Sequence, residues 1–534
     1  GWACRSHGPP SSMTQASSRH RFAPALAALA VLVALVCAPA PALADTGVAA
    51  ENQLPGTSAW TLTNPATGRE IEGYASATSV NRGGSIALKV STAAPAFTLE
   101  VFRTGWYQGL GARRVAGPAI VTGQLQTTPA PNPTTGMVDA NWATSYTLQT
   151  KDQGTGDPWP TGVYLARLTE SSAGKQAYIL FVVRDDAQRP DVLYQLPVTT
   201  YQAYNFWGGK SLYGWGSGFQ LPWGSSAGTA ATKVTFDRPY AGSTNPAAAY
   251  GLGAGEYLTN VQRVAQGYPI SSSGWDYNMV RWLERHGYDV GYSTNIDTHE
   301  SAARVANTGV WLSQGHDEYW TWQMRKNVED ARDAGTNLAF FSANTAYWQI
   351  RLEPSPSTGA QNRVIVEYRT AAADPYASDA DASNDKYVTV RFREAPVNQP
   401  EGALKGSQYL VDPIDADISV SQTSHWAFAG TGLSNGQILR GLLGYEIDER
   451  TDTAPANTIS LAATQISWWP EHHSDMTIYT APSGARVFGT GTIQWSWGLD
   501  DYNAPALRSS RLSAEAATIT ANVLADGGAL PANT

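Results

Sequence analysis

Cysteine is nearly absent: the 534 residues contain two, Cys4 and Cys37. Both precede the end of a segment that reads as an export signal, so the mature chain is expected to hold no thiol. That excludes disulfides, cysteine-ligated zinc and a cysteine nucleophile. Charge is sparse too, at 15% of residues, with a net charge of -9 and no basic patch. Nucleic acid is thereby excluded as a partner. No long apolar run occurs beyond 23–36, which is short for a membrane span. That run follows Arg19-His20-Arg21 and precedes Ala42-Leu43-Ala44, a small-x-small cleavage pattern. Residues 1–44 therefore read as a leader and Sec-type secretory signal cut near Ala44, and the protein as secreted and extracellular, with no membrane span after cleavage.

What is abundant is glycine (50), tyrosine (25) and tryptophan (19), a profile opposite to that of a disordered chain. The length supports at least two hydrophobic cores. Residues 50–186 hold short β-branched or aromatic runs (85–90, 97–103, 145–149, 162–168, 176–183) separated by Gly, Pro and Asn. That spacing predicts an antiparallel, immunoglobulin-like β-sandwich. The polar stretch 184–190 marks a boundary. Over 190–530 the pattern becomes α/β: apolar strands at 191–198, 288–293, 310–313 and 337–342 alternate with helical spacing at 275–286 and 319–334. The expectation is a mainly parallel sheet with helices on both faces. A hairpin over 476–481 and 485–490 and a last helix over 513–525 complete it.

Ligands of open α/β sheets bind beyond the carboxyl ends of the strands. Three such exits are rich in polar groups: Thr199-Thr200-Tyr201-Gln202-Ala203-Tyr204-Asn205, Gln314-Gly315-His316-Asp317-Glu318-Tyr319-Trp320 and Ala343-Asn344-Thr345-Ala346-Tyr347-Trp348. His316, Asp317 and Glu318 form the densest cluster. Asp317 or Glu318 reads equally well as an N-cap of the following helix. Glu446 in Gly444-Tyr445-Glu446 is a second candidate carboxylate, with an exposed loop acid as the alternative. Glu471-His472-His473 suits a metal cluster or a solvated loop, the loop fitting better. Gly224-Ser225-Ser226-Ala227-Gly228 matches a serine-hydrolase elbow but lacks its strand and helix. Gly251-Leu252-Gly253-Ala254-Gly255 has no strand before it and is not a dinucleotide loop.

Thr200-Tyr201-Gln202-Ala203-Tyr204-Asn205, Arg238-Pro239-Tyr240, Gly315-His316-Asp317-Glu318-Tyr319-Trp320, Phe341-Ser342-Ala343-Asn344, Gly444-Tyr445-Glu446 and Trp495-Ser496-Trp497-Gly498-Leu499-Asp500 occur in that order. Through them the region from about 191 to 502 resembles the C-terminal domain of the N,N-dimethylformamidase large (beta) subunit family. The resemblance implies a glutamine-amidotransferase-like α/β fold without the cysteine, and a small-molecule amide as substrate. It also implies a mononuclear iron, as Fe3+, held by two tyrosines and a glutamate: Glu318, Tyr240, and either Tyr201 or Tyr204. His316, Asn344 and Glu446 would then be supporting or catalytic groups. Hard oxygen donors suit ferric iron, which would polarise a carbonyl and acidify water. Aromatic packing is the alternative use of each tyrosine. An oligomer is compatible with this reading, and nothing in the chain shows the family's small partner subunit.

The expected function is thus a secreted, metal-dependent hydrolase of an amide or other C–N bond. Its rival is a non-catalytic exported module binding glycan or cell-wall material through Trp207, Trp215 and Trp223. A zinc hydrolase using His316 with Glu318 is a third reading.

Overall fold

The computed structural model describes residues 47–214, 229–262 and 272–532. Residues 1–44, the expected leader, lie outside them, as do Trp215, Trp223 and the elbow-like 224–228. Asp45–Thr534 forms one compact unit.

The first eight strands are β1 (Ile71–Ala75), β2 (Ser79–Asn81), β3 (Ser85–Thr92), β4 (Ala96–Thr104), β5 (Ala112–Thr122), β6 (Tyr146–Gln149), β7 (Gly162–Glu170) and β8 (Gln176–Arg184). They make a five-stranded sheet, β2-β8-β7-β4-β5, and a three-stranded sheet, β1-β3-β6. The sheets pack so closely that a Cβ on Gly73 of β1 would come 2.7 Å from Ile179 of β8. The pairing is antiparallel except at the edge, where β2 runs parallel to β8, a departure from the purely antiparallel expectation. Every residue of β8 but the last is buried, because neighbours cover both its faces.

The remaining strands are β9 (Val192–Leu196), β10 (Lys233–Thr235), β11 (Val290–Thr294), β12 (Val310–His316), β13 (Tyr319–Thr321), β14 (Asn337–Ala343), β15 (Trp348–Glu353), β16 (Val364–Val366), β17 (Gln408–Ser419), β18 (Ile438–Glu449), β19 (Ile459–Gln465), β20 (His473–Thr480) and β21 (Arg486–Gly489). The central sheet has the order β11-β9-β12-β14-β21-β20-β19. Its first five strands are mutually parallel; β20 pairs antiparallel with β21, and the edge strand β19 antiparallel with β20. The molecule is mixed α/β with a parallel-rich sheet at its centre.

Two local expectations change. The segment 319–334 is not helical throughout: Tyr319–Thr321 is strand β13, paired with β15. The helix runs Trp322–Asp333, with Thr321 as N-cap accepting from Met324 N at 3.0 Å. A threonine hydroxyl at that spot satisfies a free helix N–H and so fixes the start. The long β17–β18 hairpin was not anticipated, although it carries Glu446.

Strand β4 and the helix Asp276–Arg285 are joined by a fully buried ion pair. Arg103 donates from Nη1 and Nη2 to the two oxygens of Glu284, each at 2.8 Å. Tyr292 OH and Asn52 Nδ2 complete the carboxylate shell at 2.7 Å.

Candidate active site

The site gathers at the carboxyl end of β12. Gly315 has φ +64°, and a Cβ there would sit 1.9 Å from Trp275 Cδ1. Only glycine fits such a turn, and it delivers His316, Asp317 and Glu318 beyond the sheet. Asp317 points back and is a strut rather than a cap. Its carboxylate accepts from Gln195 (2.7 Å), Ser313 (2.9 Å), Asn295 (2.9 Å) and Trp320 (2.8 Å). Burial still raises its pKa above the usual carboxylate value, against those four donors. Glu318 is anchored through its backbone N–H to Thr200 Oγ1 at 2.9 Å.

The side chains of His316, Glu318 and Glu446 converge. His316 Nε2 lies 3.1 Å from Glu318 Oε2 and 3.1 Å from Glu446 Oε2. Glu446 is not a loop acid. It sits in β18, buried, and its Oε2 accepts from Asn344 Nδ2 at 2.6 Å. Asn344 is held by its backbone N–H on Asp448 at 2.9 Å, and its Oδ1 is buried without a hydrogen bond. Tyr204 OH donates to Glu318 Oε2 at 2.7 Å.

The three candidate tyrosines part company. Tyr204 reaches Glu318. Tyr201 turns its hydroxyl to Asp276 Oδ2 at 2.6 Å. Tyr240 packs with its ring 6.4 Å from that of Tyr201, and among the described residues no hydrogen bond joins it to Glu318. The phenol next to Tyr204 is Tyr213, which the sequence reading passed over. Its ring stacks on Tyr204 at 4.5 Å, and its hydroxyl lies 2.8 Å from Tyr204 OH and 3.4 Å from Glu318 Oε2. Tyr213 also bonds Tyr319 OH, which accepts from Arg369 Nη2 at 3.1 Å. Tyr213 stands alone in a Gly- and Ser-rich loop, so no periodicity marks it. Tyr319 was visible in the motif but not singled out.

His316 Nδ1 faces Gln262 Nε2 at 2.8 Å. That amide also donates to Glu256 Oε2 at 2.9 Å and accepts from Tyr445 OH. Neither Gln262 nor Glu256 carries a sequence signal. The remaining candidates lie elsewhere. His472, just before β20, pairs with Glu449 at the end of β18, and His473, the first residue of β20, pairs with Asp475, each at 2.8 Å. Trp207 is buried, with its indole N–H on Glu72, and offers no face to a glycan.

Burial sets the electrostatics. It pushes the Glu446 pKa up to about 7, with His316 opposing and Glu318 adding. It pushes Glu256 up to about 8. The Tyr204 phenol is raised well above its ordinary value, by burial first and the Glu318 charge next. The two glutamates raise His316 against its own burial. Two carboxyls and an imidazole with displaced pKa values in one buried spot are a functional signature.

The N,N-dimethylformamidase beta subunit-like, C-terminal family matches residues 98–507. The chain belongs to that family. The match begins inside β4, so the family's pattern takes in most of the β-sandwich as well as the α/β part. Two curated relatives are similar to it. The N,N-dimethylformamidase beta subunit of Paracoccus aminophilus is 23% identical over 287 residues, 45% of this chain and 36% of that protein. The N,N-dimethylformamidase beta subunit of Alcaligenes sp is 23% identical over 278 residues, with the same coverage. The match thus spans about a third of the relatives' length. Among the described residues no helix is long and apolar enough to cross a membrane. No group of three or more His, Cys, Asp or Glu side chains among them is arranged to hold a metal ion.

Proposed function

We propose that this chain is an exported amide hydrolase of the N,N-dimethylformamidase type, cleaving the C–N bond of a small amide. The observation that carries it is the meeting of Glu318, Glu446 and His316 Nε2 at a buried sheet end, with Asn344 Oδ1 buried there without a hydrogen bond. An unmet polar atom beside two carboxyls in one buried spot is the mark of a place built for a further polar species. The β-sandwich is read as immunoglobulin-like and the α/β part as glutamine-amidotransferase-like.

The donor set fits a hard cation: Glu318 carboxylate and the Tyr204 phenol 2.7 Å away, with Tyr213 as the next oxygen. In this reading Tyr213 stands where the family resemblance suggests Tyr240. Bound ferric iron would supply Lewis-acid polarisation of the amide carbonyl. The chain's own groups do the rest. Glu446, with its pKa pushed up to about 7, takes a proton from water, whose oxygen adds to the carbonyl carbon. Asn344 Nδ2 holds the accepting oxygen in place. Protonated Glu446 returns the proton to the amide nitrogen as the C–N bond breaks, releasing carboxylic acid and amine. His316, between the two glutamates, orients both and buffers their charge.

The test is release of amine from N,N-dimethylformamide and a panel of small formamides and acetamides by the purified, iron-loaded protein. Glu446→Gln should lose about 10²- to 10⁴-fold in turnover while keeping its metal, and Glu318→Ala should lose the metal. Amine release by E446Q at the wild-type rate would sink the assignment of the base. A metal-loaded protein inert to every amide would sink the reading as a hydrolase.

A further inference from the structure

The reaction centre leans on a group outside it. Gln262 Nε2 faces His316 Nδ1 at 2.8 Å and Glu256 Oε2 at 2.9 Å, while Gln262 Oε1 accepts from Tyr445 OH. All four side chains are buried. The partners fix the sense of the amide. The Tyr445 hydroxyl donates to its oxygen, and Glu256 Oε2 accepts from its nitrogen, as an oxygen of the carboxylate or the C=O oxygen of the neutral carboxyl can. An amide nitrogen has no lone pair to offer, so Nδ1 of His316 must be the acceptor.

We infer that Gln262 is a positioning residue that sets the tautomer of His316, holding the ring proton on Nε2, where it faces the oxygens of Glu318 and Glu446. The inference rests on the reading of those three residues as the reaction centre, but the tautomer can be read without any turnover. The arrangement gives His316 one role. With Nδ1 accepting, Nε2 presents a proton to the glutamates and offers no lone pair to a cation. The zinc site built on His316 is therefore incompatible with it. A second proton on the ring would set Nδ1–H against the amide N–H. Glu256 and Tyr445 act through Gln262, as clamps on the amide.

The experiment is nitrogen NMR of the histidine rings in the full chain labelled with ¹⁵N-histidine and dialysed against a chelator. Eight histidines are present, and His316→Asn assigns the resonance. Wild type should show His316 Nδ1 as the bare nitrogen and Nε2 as the protonated one. In Gln262→Glu the carboxylate demands a donor, so the proton should move to Nδ1. In Gln262→Leu the preference should be lost and both tautomers appear. Gln262→Asn, too short to span both partners, gives the same outcome as Leu and serves if Leu does not fold. In the amide assay Q262E should lose about 10²- to 10⁴-fold in kcat with KM changed less, as expected of a wrong tautomer. An Nε2-protonated ring unchanged in Q262E and in Q262L or Q262N would overturn the inference, whatever the activity. An inactive wild type with the expected tautomers would instead overturn the proposed reaction and leave Gln262's role standing.

Discussion

Glu284→Leu tests what joins the β-sandwich to the α/β part. The wild-type carboxylate accepts four hydrogen bonds, two from Arg103 and one each from Tyr292 and Asn52. Both side chains of the ion pair are fully buried. Deleting the carboxylate leaves the Arg103 guanidinium with Thr161 O, Thr104 O and Tyr107 OH but no bonded counter-charge, the next carboxylate, Glu51, standing behind Tyr107 OH at 2.7 Å. Removing one partner of a buried pair costs about 3 to 5 kcal/mol. Arg103→Met should cost less, about 2 to 4 kcal/mol, because Asn52 and Tyr292 still solvate the carboxylate. In the double variant no charge is left buried alone, so its cost should fall short of the sum of the singles by about 2 kcal/mol or more. Urea unfolding followed by tryptophan fluorescence gives all three values from the midpoints and slopes. A Glu284→Leu cost under about 1 kcal/mol, or singles that simply add, would refute the claim that this pair fastens the two layers.

Gly315→Ala should destabilise by about 2 to 5 kcal/mol, combining left-handed backbone strain with overpacking, since its Cβ would fall 1.9 Å from Trp275 Cδ1; thermal melting checks this. Glu256 has a folded pKa of about 8 against an ordinary 4.5. A raised folded pKa means its contribution is complete below about 4.5 and is lost as pH climbs to about 8, a fall on the order of 3 to 5 kcal/mol. Glu256→Gln should flatten that part of the stability–pH curve, and an unchanged slope would remove Glu256 as its source. If the proposed ferric site and hydrolysis hold, Tyr204→Phe should lower iron content and amide turnover together, by roughly 10-fold or more, as measured by metal analysis and the amine-release assay.

The strands that were legible in the sequence were those whose burial is uniform. Val192–Leu196 and Asn337–Ala343 read as apolar runs because neighbours cover both faces. The β17–β18 hairpin was missed because β17 is half exposed and bulged and contains a proline, so no period of two survives. Glu446 inherits that blindness: it reads as a loop acid unless its strand is known. His316, Glu318 and Asn344 stood out because each lies at a parallel strand's exit, a place topology marks in advance. Asp317 stayed open between cap and functional group because two of its four donors, Gln195 and Asn295, reach it from distant segments that nothing local announces. Tyr213, Gln262 and Glu256 are ordinary residues in irregular chain, recruited by tertiary contact alone.

The buried arginine–glutamate lock has a practical meaning for anyone who would shorten this protein. The polar stretch near residue 190 looks like a convenient place to cut. A fragment starting there would carry Glu284 on an open surface with its cation gone, and the complementary fragment would display an orphaned guanidinium. Neither half would be a natural building block. The two are better regarded as one casting with a visible groove than as beads on a string.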